Sequence, residues 1–351
     1  MAQTLNTLAD LSALDADNII DVRAPSEFAE DHIPGAINLP ALRDDERARV
    51  GTIYVQDSPF KARKIGAALV ARNVATHLET ELAERPGGWK PVVYCWRGGQ
   101  RSGSVVSILS QIGWRAQQLE GGYKSYRRLV KALLYDAPLP HKLVLIDGGT
   151  GTAKTRLLEA LDTAGAQVLD LEHLASHRGS LFGLVGPAQP SQKWFESQVA
   201  MTFGRFDSAR PVFVEAESNK IGRLIVPPSL WQKMIRAPRF ELSAPLPARA
   251  AHLARDYDDL IEDPARLKDI LEQLVSYHGR AQVDLWHGLA RTGDMQALAG
   301  DLIETHYDPR YRRITRKDAP APMRVALPNL SDATLAQTAA KLIAQTDDAT
   351  P

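Results

Sequence analysis

Val92-Val93-Tyr94-Cys95-Trp96-Arg97-Gly98-Gly99-Gln100-Arg101 begins as an apolar run and ends as a glycine-rich, cationic turn. The apolar run reads as a buried strand, and residues 104–112 read as a helix. Strand, turn and helix in that order set Cys95, the only cysteine of the chain, among inward-pointing backbone N–H groups. Those donors and the positive end of the helix stabilise anions. The same surroundings favour a nucleophilic thiolate. Arg101 closes the turn with a fixed fork of donors for an oxyanion. Trp96, Arg97, Gly98, Gly99, Gln100 and Ser102 complete the candidate anion loop, with Cys95 and Arg101 as its catalytic pair. A lone cysteine is often just a small buried hydrophobe. Two arginines, two glycines and a serine directly after it favour catalysis instead.

At 351 residues the chain is long enough for two domains. Its 44% hydrophobic and 24% charged residues are ordinary for a globular protein. No apolar run approaches the length needed to span a bilayer, and the first ten residues lack a signal pattern. One cysteine permits no intrachain disulfide, so a cytoplasmic setting without membrane association is expected. Net charge is zero, but its distribution is uneven. Between Lys90 and Lys131 eight Lys/Arg face one acid, Glu120. Lys124, Arg127 and Arg128 belong to this cluster. A second cluster, Arg310, Arg312, Arg313, Arg316 and Lys317, is interleaved with Tyr307 and Tyr311. Basic patches with aromatics suit a polyanion such as RNA, and Lys124, Arg127, Arg128, Arg310, Arg312 and Arg313 are the candidate RNA contacts.

In the first half, residues 19–23 read as a short strand ending in charge, and 25–30 as a helix with Ser26 as its cap. Residues 32–40 form a turn and a strand, 61–82 are mostly helical, and 86–88 break that helix. The cysteine strand and helix follow, then a strand at 117–119, a Gly121-Gly122-Tyr123 loop and a helix over 124–134. Strands alternating with helices imply a mostly parallel α/β sheet. "DVRAPSEF", "HIPGAINLP", "YCWRGGQRS" and "LEGGYKSYR", in this order, resemble a rhodanese domain. The resemblance implies sulfur handling on the loop cysteine, with Asp21 and Arg23 bracing the site. Five residues separate Cys95 from Arg101, a spacing shared with cysteine-dependent phosphatases and arsenate reductases. Spacing alone leaves that chemistry open.

In the second half, an apolar strand at 142–146 runs into Asp147-Gly148-Gly149-Thr150-Gly151-Thr152-Ala153-Lys154-Thr155, and a helix follows to residue 163. This is a P-loop in its proper context. The backbone of Gly148, Gly149, Thr150, Gly151 and Thr152 would cradle a phosphate. Lys154 would reach the outer phosphates, and Thr155 would hold Mg²⁺. Ala153 stands where glycine is usual, and its Cβ is expected to narrow the loop. A strand at 211–215 ends in Glu215, followed by Glu217; a carboxylate there either holds a metal-bound water near the P-loop or only pairs with a nearby base, and both glutamates are candidate supporting residues. A further strand at 167–169 leads to Asp170, a candidate supporting residue, and to His177 and Arg178, which are either anion contacts at the mouth of the loop or partners of Asp170 and Glu172. His173 and His177 are four apart, yet they are not a His-Glu-x-x-His pair and no third ligand is evident. Residues 248–305 have helical periodicity, with Leu253, Tyr257, Leu260 and Ile261 on one face and Leu267, Ile270, Leu271 and Leu274 on another. A terminal helix is expected over 331–345, with a frayed end.

The fold class is therefore α/β. A rhodanese-like parallel-sheet domain (1–135) precedes a P-loop NTPase-like α/β domain (136–317). The latter carries a helical subdomain around 248–305, and 318–351 form a C-terminal helix and tail. This pairing, with "DLEHLASHRGSLFG", "FVEAESNKIG" and "HYDPRYRR", is similar to the tRNA 2-selenouridine synthase family, also described as tRNA 2-thiouridine geranyltransferases. Membership implies a transferase acting on tRNA with wobble 2-thiouridine. Geranyl diphosphate would be the alkyl donor and selenophosphate the selenium donor, the latter from a selenophosphate-producing enzyme. The P-loop would then cradle the diphosphate, while Cys95 carries or guides selenium with Arg101 and the loop amides. Rival readings are a Cys-x5-Arg phosphatase or arsenate reductase, a P-loop RNA kinase with an accessory rhodanese domain, and an inert binding module.

Overall fold

The computed structural model describes residues 2–177, 188–216, 218–256, 263–311 and 320–348. These fall into two compact units, Met1–Pro138 with Pro190–Arg205, and Leu139–Gln189 with Phe206–Pro351. Tyr257, Leu260, Ile261, Arg178, Glu217, Arg312, Arg313, Arg316 and Lys317 lie outside the described residues.

The first unit is built on five parallel strands, β1 (Ala2–Gln3), β2 (Asn18–Asp21), β3 (Ile37–Asn38), β4 (Pro91–Tyr94) and β5 (Gln117–Leu119), in the order β1-β5-β4-β2-β3. Every residue of the central strand β4 is buried, as a parallel strand covered on both faces requires. The helices are α1 (Pro25–Glu30), α2 (Asp44–Gln56), α3 (Pro59–Glu79), α4 (Gln100–Ile112) and α5 (Gly122–Lys131). Ile20, Val22, Val70, Val93, Leu109 and the edge-to-face pair Trp89 and Trp114 fill the core, and Cys95 sits at its margin. Ser26 does not cap α1. Ala24 occupies the cap position, and its N–H donates to Glu27 Oε2 at 3.2 Å, while the Ser26 hydroxyl bonds to Asp44.

The second unit has five parallel strands, β6 (Lys142–Gly148), β7 (Gln167–Leu169), β8 (Pro211–Glu215), β11 (Arg239–Ser243) and β12 (Met323–Ala326), in the order β12-β11-β6-β8-β7. A small antiparallel hairpin, β9 (Lys220–Ile221) and β10 (Leu224–Ile225), intervenes. Helix α6 (Lys154–Thr163) follows β6, and α7 (Leu171–Leu174) follows β7. Leu157, Leu158 and Leu161 of α6 share a core with Leu335, Ala339 and Leu342 of the C-terminal helix Asp332–Asp348. Leu267, Leu271, Leu274, Val283 and Trp286 hold the helical subdomain together, as its periodicity requires. Among the described residues no helix is long and apolar enough to cross a membrane.

Helix α8 (Gln192–Gly204) lies in sequence between β7 and β8 but packs in the first unit. The sequence reading set these residues within the second domain. Their placement follows from the face they bury. Phe195, Val199, Ala200 and Phe203 are enclosed, and the buried Glu196 accepts from Arg127 of α5 and, at 2.5 Å, from Tyr135. Trp194 stacks on His32 at 4.0 Å, and His32 in turn on Phe28 at 3.7 Å. A buried carboxylate needs such partners, because unpaired it would cost several kcal/mol.

Candidate functional site

In the first unit the cysteine turn leaves the C-terminal end of β4, the position where open parallel sheets bind ligands. The ends of β2 and β5 flank it, with Asp21 in register with Tyr94. Cys95 is 4% exposed, and its Sγ accepts from Ser102 Oγ at 3.4 Å. The carbonyls of Cys95 and Trp96 accept from the N–H groups of Tyr123 and Lys124 at 2.8 and 2.9 Å. Across a trans peptide the N–H points opposite its carbonyl, so the amides of Trp96 and Arg97 face away from α5. No side chain caps α4, which leaves its first amides for an anion. Gly122 makes this close approach possible. A Cβ there would lie 2.3 Å from the Cys95 carbonyl oxygen, and its φ of 55° is left-handed.

Asp21 and Arg23 form a buried pair, with Arg23 Nη2 donating to Asp21 Oδ2 at 2.6 Å and to the Asp31 carbonyl at 2.6 Å. Burial opposes the Arg23 charge, but the Asp21 contacts overcome it and hold the guanidinium's pKa above its ordinary value. That guanidinium lies 3.9 Å over the Tyr123 ring and 6.0 Å from that of Trp96, so the pair braces the wall of the cysteine turn. Tyr123 Oη donates to Asp31 Oδ2 at 2.6 Å. Burial raises the Asp31 carboxyl to about 6, with Tyr123 and Arg127 pulling the other way. Arg101 donates from Nη1 to Glu27 Oε2 at 3.1 Å, and Glu27 also takes Arg47 at 3.0 Å. One nitrogen of Arg101 is thus anchored, and the guanidinium keeps further donors.

In the second unit the P-loop leaves the C-terminal end of β6, beside the end of β8 at Glu215. Three successive carbonyls are tied down. Lys154 Nζ donates to Gly148 O at 3.1 Å, Thr152 Oγ1 to Gly149 O at 2.8 Å, and Arg249 Nε and Nη2 to Thr150 O at 2.9 and 2.7 Å. The amides of Gly149, Thr150 and Gly151 therefore face the other way, which is how a backbone nest forms for a phosphate. No side chain caps α6, and Thr155 is exposed beside its start. Arg249, on the helix Leu246–Asp256, also forks onto Asp308 at 3.0 and 2.6 Å. Ala153 adopts φ 60°, ψ 39°, and its methyl lies in the apolar cluster with Leu157 and Leu158. The Cβ expected to narrow the loop is buried in the core instead.

The other expected residues divide. Glu215 Oε1 accepts from the N–H of Glu172 at 2.6 Å, and Asp170 Oδ1 caps α7 through the N–H of His173 at 2.7 Å. The backbone N–H of His177 donates to Glu172 O at 3.0 Å, which closes the same turn. Lys124, Arg128 and Arg310 are exposed. Arg127 is engaged by Glu196 and Asp31, which removes it from the solvent-facing cations. Among the described residues no three His, Cys, Asp or Glu side chains gather to hold a metal.

The rhodanese-like domain model matches residues 4–129, and the model of the tRNA 2-selenouridine synthase AAA domain matches 141–286. A tRNA 2-selenouridine synthase of Chromohalobacter salexigens is 37% identical over 263 residues, covering 74% of this chain and 70% of that protein. The chain belongs to the tRNA 2-selenouridine synthase family. The family's member from Nitrosomonas europaea is 36% identical over 257 residues, 71% of this chain and 66% of its own. The chain thus spans about two thirds of the length of these curated relatives. Among solved structures, the N-terminal domain of a Clostridium difficile 630 protein is 40% identical, covers 37% of this chain and 98% of its own, and has a TM-score of 0.31. Sequence reading of this family member missed Glu27, Asp31, Arg249 and Asp308. Asp308 lies inside "HYDPRYRR", a motif quoted only for resemblance, and Arg249 sits on an otherwise unremarked helix.

Proposed function

We propose that this chain converts 2-thiouridine at the wobble position of tRNA into 2-selenouridine, in two stages. The observation that carries the reading is the presence of two anion-receptive glycine loops in one chain. Each lies at the C-terminal end of a central parallel strand, and one holds a buried thiol. In the first stage the P-loop amides and Lys154 bind the diphosphate of geranyl diphosphate. The tRNA sulfur attacks the allylic carbon, the C–S bond forms, the C–O bond breaks and diphosphate leaves. Preorganised donors around the departing group stabilise its growing charge. The Thr155 hydroxyl would hold Mg²⁺, which would help offset the leaving group's negative charge.

In the second stage selenophosphate binds the cysteine turn through its amides and Arg101, and Cys95 guides the selenium. Selenium attacks C2 of the geranylated base, the C–Se bond forms, and the geranyl thiol leaves with a proton. Water cleaves the P–Se bond to give phosphate. A geranyl thiol departs more readily than bare sulfide, which gives the first stage its purpose.

The test is a pair of variants assayed by nucleoside mass spectrometry. Cys95→Ala should accumulate S-geranyl-2-thiouridine without selenation, and Lys154→Ala should leave 2-thiouridine unchanged. Full selenation by Cys95→Ala, or normal geranylation by Lys154→Ala, would sink the corresponding role. The Cys-x5-Arg phosphatase reading gives the second unit no task.

A further inference from the structure

The short helix Asp308–Tyr311 supports the P-loop at two points. Three of the four residues from Gly148 to Gly151 are glycine, so sterics leave the direction of their amides open and hydrogen bonds must set it. Lys154, Thr152 and Arg249 hold the carbonyls of Gly148, Gly149 and Thr150. The peptide that opens the loop is held through its N–H instead. Asp147 Oδ1 accepts from the N–H of Gly148 at 2.8 Å, and the same oxygen accepts from Tyr311 Oη at 3.1 Å. Asp147 is 5% exposed, and Arg239 Nε lies 3.7 Å from its other oxygen.

Asp308 takes the fork of Arg249, which in turn holds Thr150 O. Tyr311, three residues on and therefore beside Asp308 on the turn, holds Asp147. One turn of chain thus fixes the loop at its opening peptide and again at Thr150. The same stretch is anchored in the helical subdomain. His306 Nδ1 lies 2.9 Å from His278 Nε2, and the Arg310 guanidinium lies 4.5 Å over the Tyr277 ring. Tyr311 Oη also donates to Glu241 Oε1 at 3.3 Å, and Glu241 is the register neighbour of Asp147 on β11. Burial first, then the two carboxylates, raise the phenol's pKa, so the hydroxyl keeps its proton and donates. Asp147 is the nearer acceptor and the one that touches the loop. Without the phenol the buried carboxylate is short of a donor, and the Gly148 amide loses its fixed direction.

We infer that Tyr311 is a positioning residue for the diphosphate site, acting through Asp147 on the opening peptide of the P-loop. This rests on the diphosphate-binding role proposed above for that loop. The test is calorimetric titration of the full chain with pyrophosphate in magnesium-containing buffer, with steady-state kinetics of geranylation alongside. Tyr311→Phe keeps the ring and removes the hydroxyl, and it should weaken pyrophosphate binding about tenfold. KM for geranyl diphosphate should rise by a similar factor while kcat stays within about twofold, because a bound diphosphate orders the loop itself. In an Asp147→Ala background the same change should cost less than about twofold, since its acceptor is gone. Should Asp147→Ala not fold, the split between KM and kcat in Tyr311→Phe decides alone. Parental pyrophosphate affinity in Tyr311→Phe, or an undiminished loss in the Asp147→Ala background, would overturn the positioning role and leave the function standing. So would a fall in kcat at unchanged KM. A parent that does not bind pyrophosphate would overturn both.

Discussion

Removing Arg249 should disable the P-loop without touching any group that meets a phosphate. Its side chain is 11% exposed and makes four hydrogen bonds, two to Thr150 O and two to Asp308. Arg249→Ala leaves a half-buried carboxylate and a loop carbonyl without their donors. Breaking a buried pair costs about 3–5 kcal/mol, and Asp308 at 20% exposure recovers part of it from water, so a loss of roughly 2–3 kcal/mol is expected. The binding effect is larger in consequence. With Thr150 O released, the peptides around Gly149 and Thr150 must be reordered whenever a phosphate binds. Ordering two residues costs about 2–4 kcal/mol, which weakens diphosphate binding roughly 30- to 1000-fold. Arg249→Lys, a single ammonium without the planar fork, should recover only part of this. Calorimetric titration with pyrophosphate, alongside urea unfolding, separates the two effects. Parental pyrophosphate affinity in a folded but destabilised Arg249→Ala protein would refute the idea that this arginine shapes the loop.

Other consequences follow from single residues. Burial raises the Asp31 carboxyl from 3.8 to about 6, so the folded chain binds this proton more tightly than the unfolded chain does. Stability from this group is therefore present below about pH 4 and lost as pH rises through 6, by roughly 3 kcal/mol. Asp31→Asn keeps an acceptor for Tyr123 and should flatten the urea stability profile over that window; an unaltered profile would exclude Asp31 as its source. Gly122→Ala drives a Cβ to 2.3 Å from the Cys95 carbonyl at a left-handed φ. A loss of about 2–4 kcal/mol in denaturant unfolding is expected, and a neutral result would mean the α5 turn is not tight. Ala153→Gly relieves about 1–2 kcal/mol of left-handed strain but loses about 0.8 kcal/mol of methyl burial and gains unfolded-chain entropy. Its Tm should stay within a few degrees of the parent, and a drop worth more than about 2 kcal/mol would give the methyl a role beyond packing.

The strands that carry both loops were legible because each is a short apolar run followed by glycine, as at Val92–Tyr94 and Leu143–Ile146. β11 was not legible. Arg239 and Glu241 interrupt its apolar pattern, yet Arg239 lies 3.7 Å from Asp147, and Glu241 accepts from Tyr311 at 3.3 Å. Those partners come from distant sequence, and no local rule announces them. α2 and α8 escaped for different reasons. α2 buries none of its residues, so its periodicity is weak. α8 is apolar enough to be recognised, but its destination depends on Glu196 meeting Arg127, a pairing across 69 residues. At the candidate sites, motif spacing pointed to Cys95, Arg101, Lys154 and Thr155. The supports Glu27, Asp31, Arg249 and Asp308 act through contacts 59 to 99 residues away in several cases, and spacing does not encode those.

The most direct test of the central claim is a time course of nucleosides, followed by mass spectrometry. The full chain would be incubated with tRNA bearing 2-thiouridine, geranyl diphosphate and selenophosphate. S-geranyl-2-thiouridine should rise first and decline as 2-selenouridine appears. Unchanged 2-thiouridine with folded, reduced protein, or selenation without geranyl diphosphate, would contradict the two-stage account.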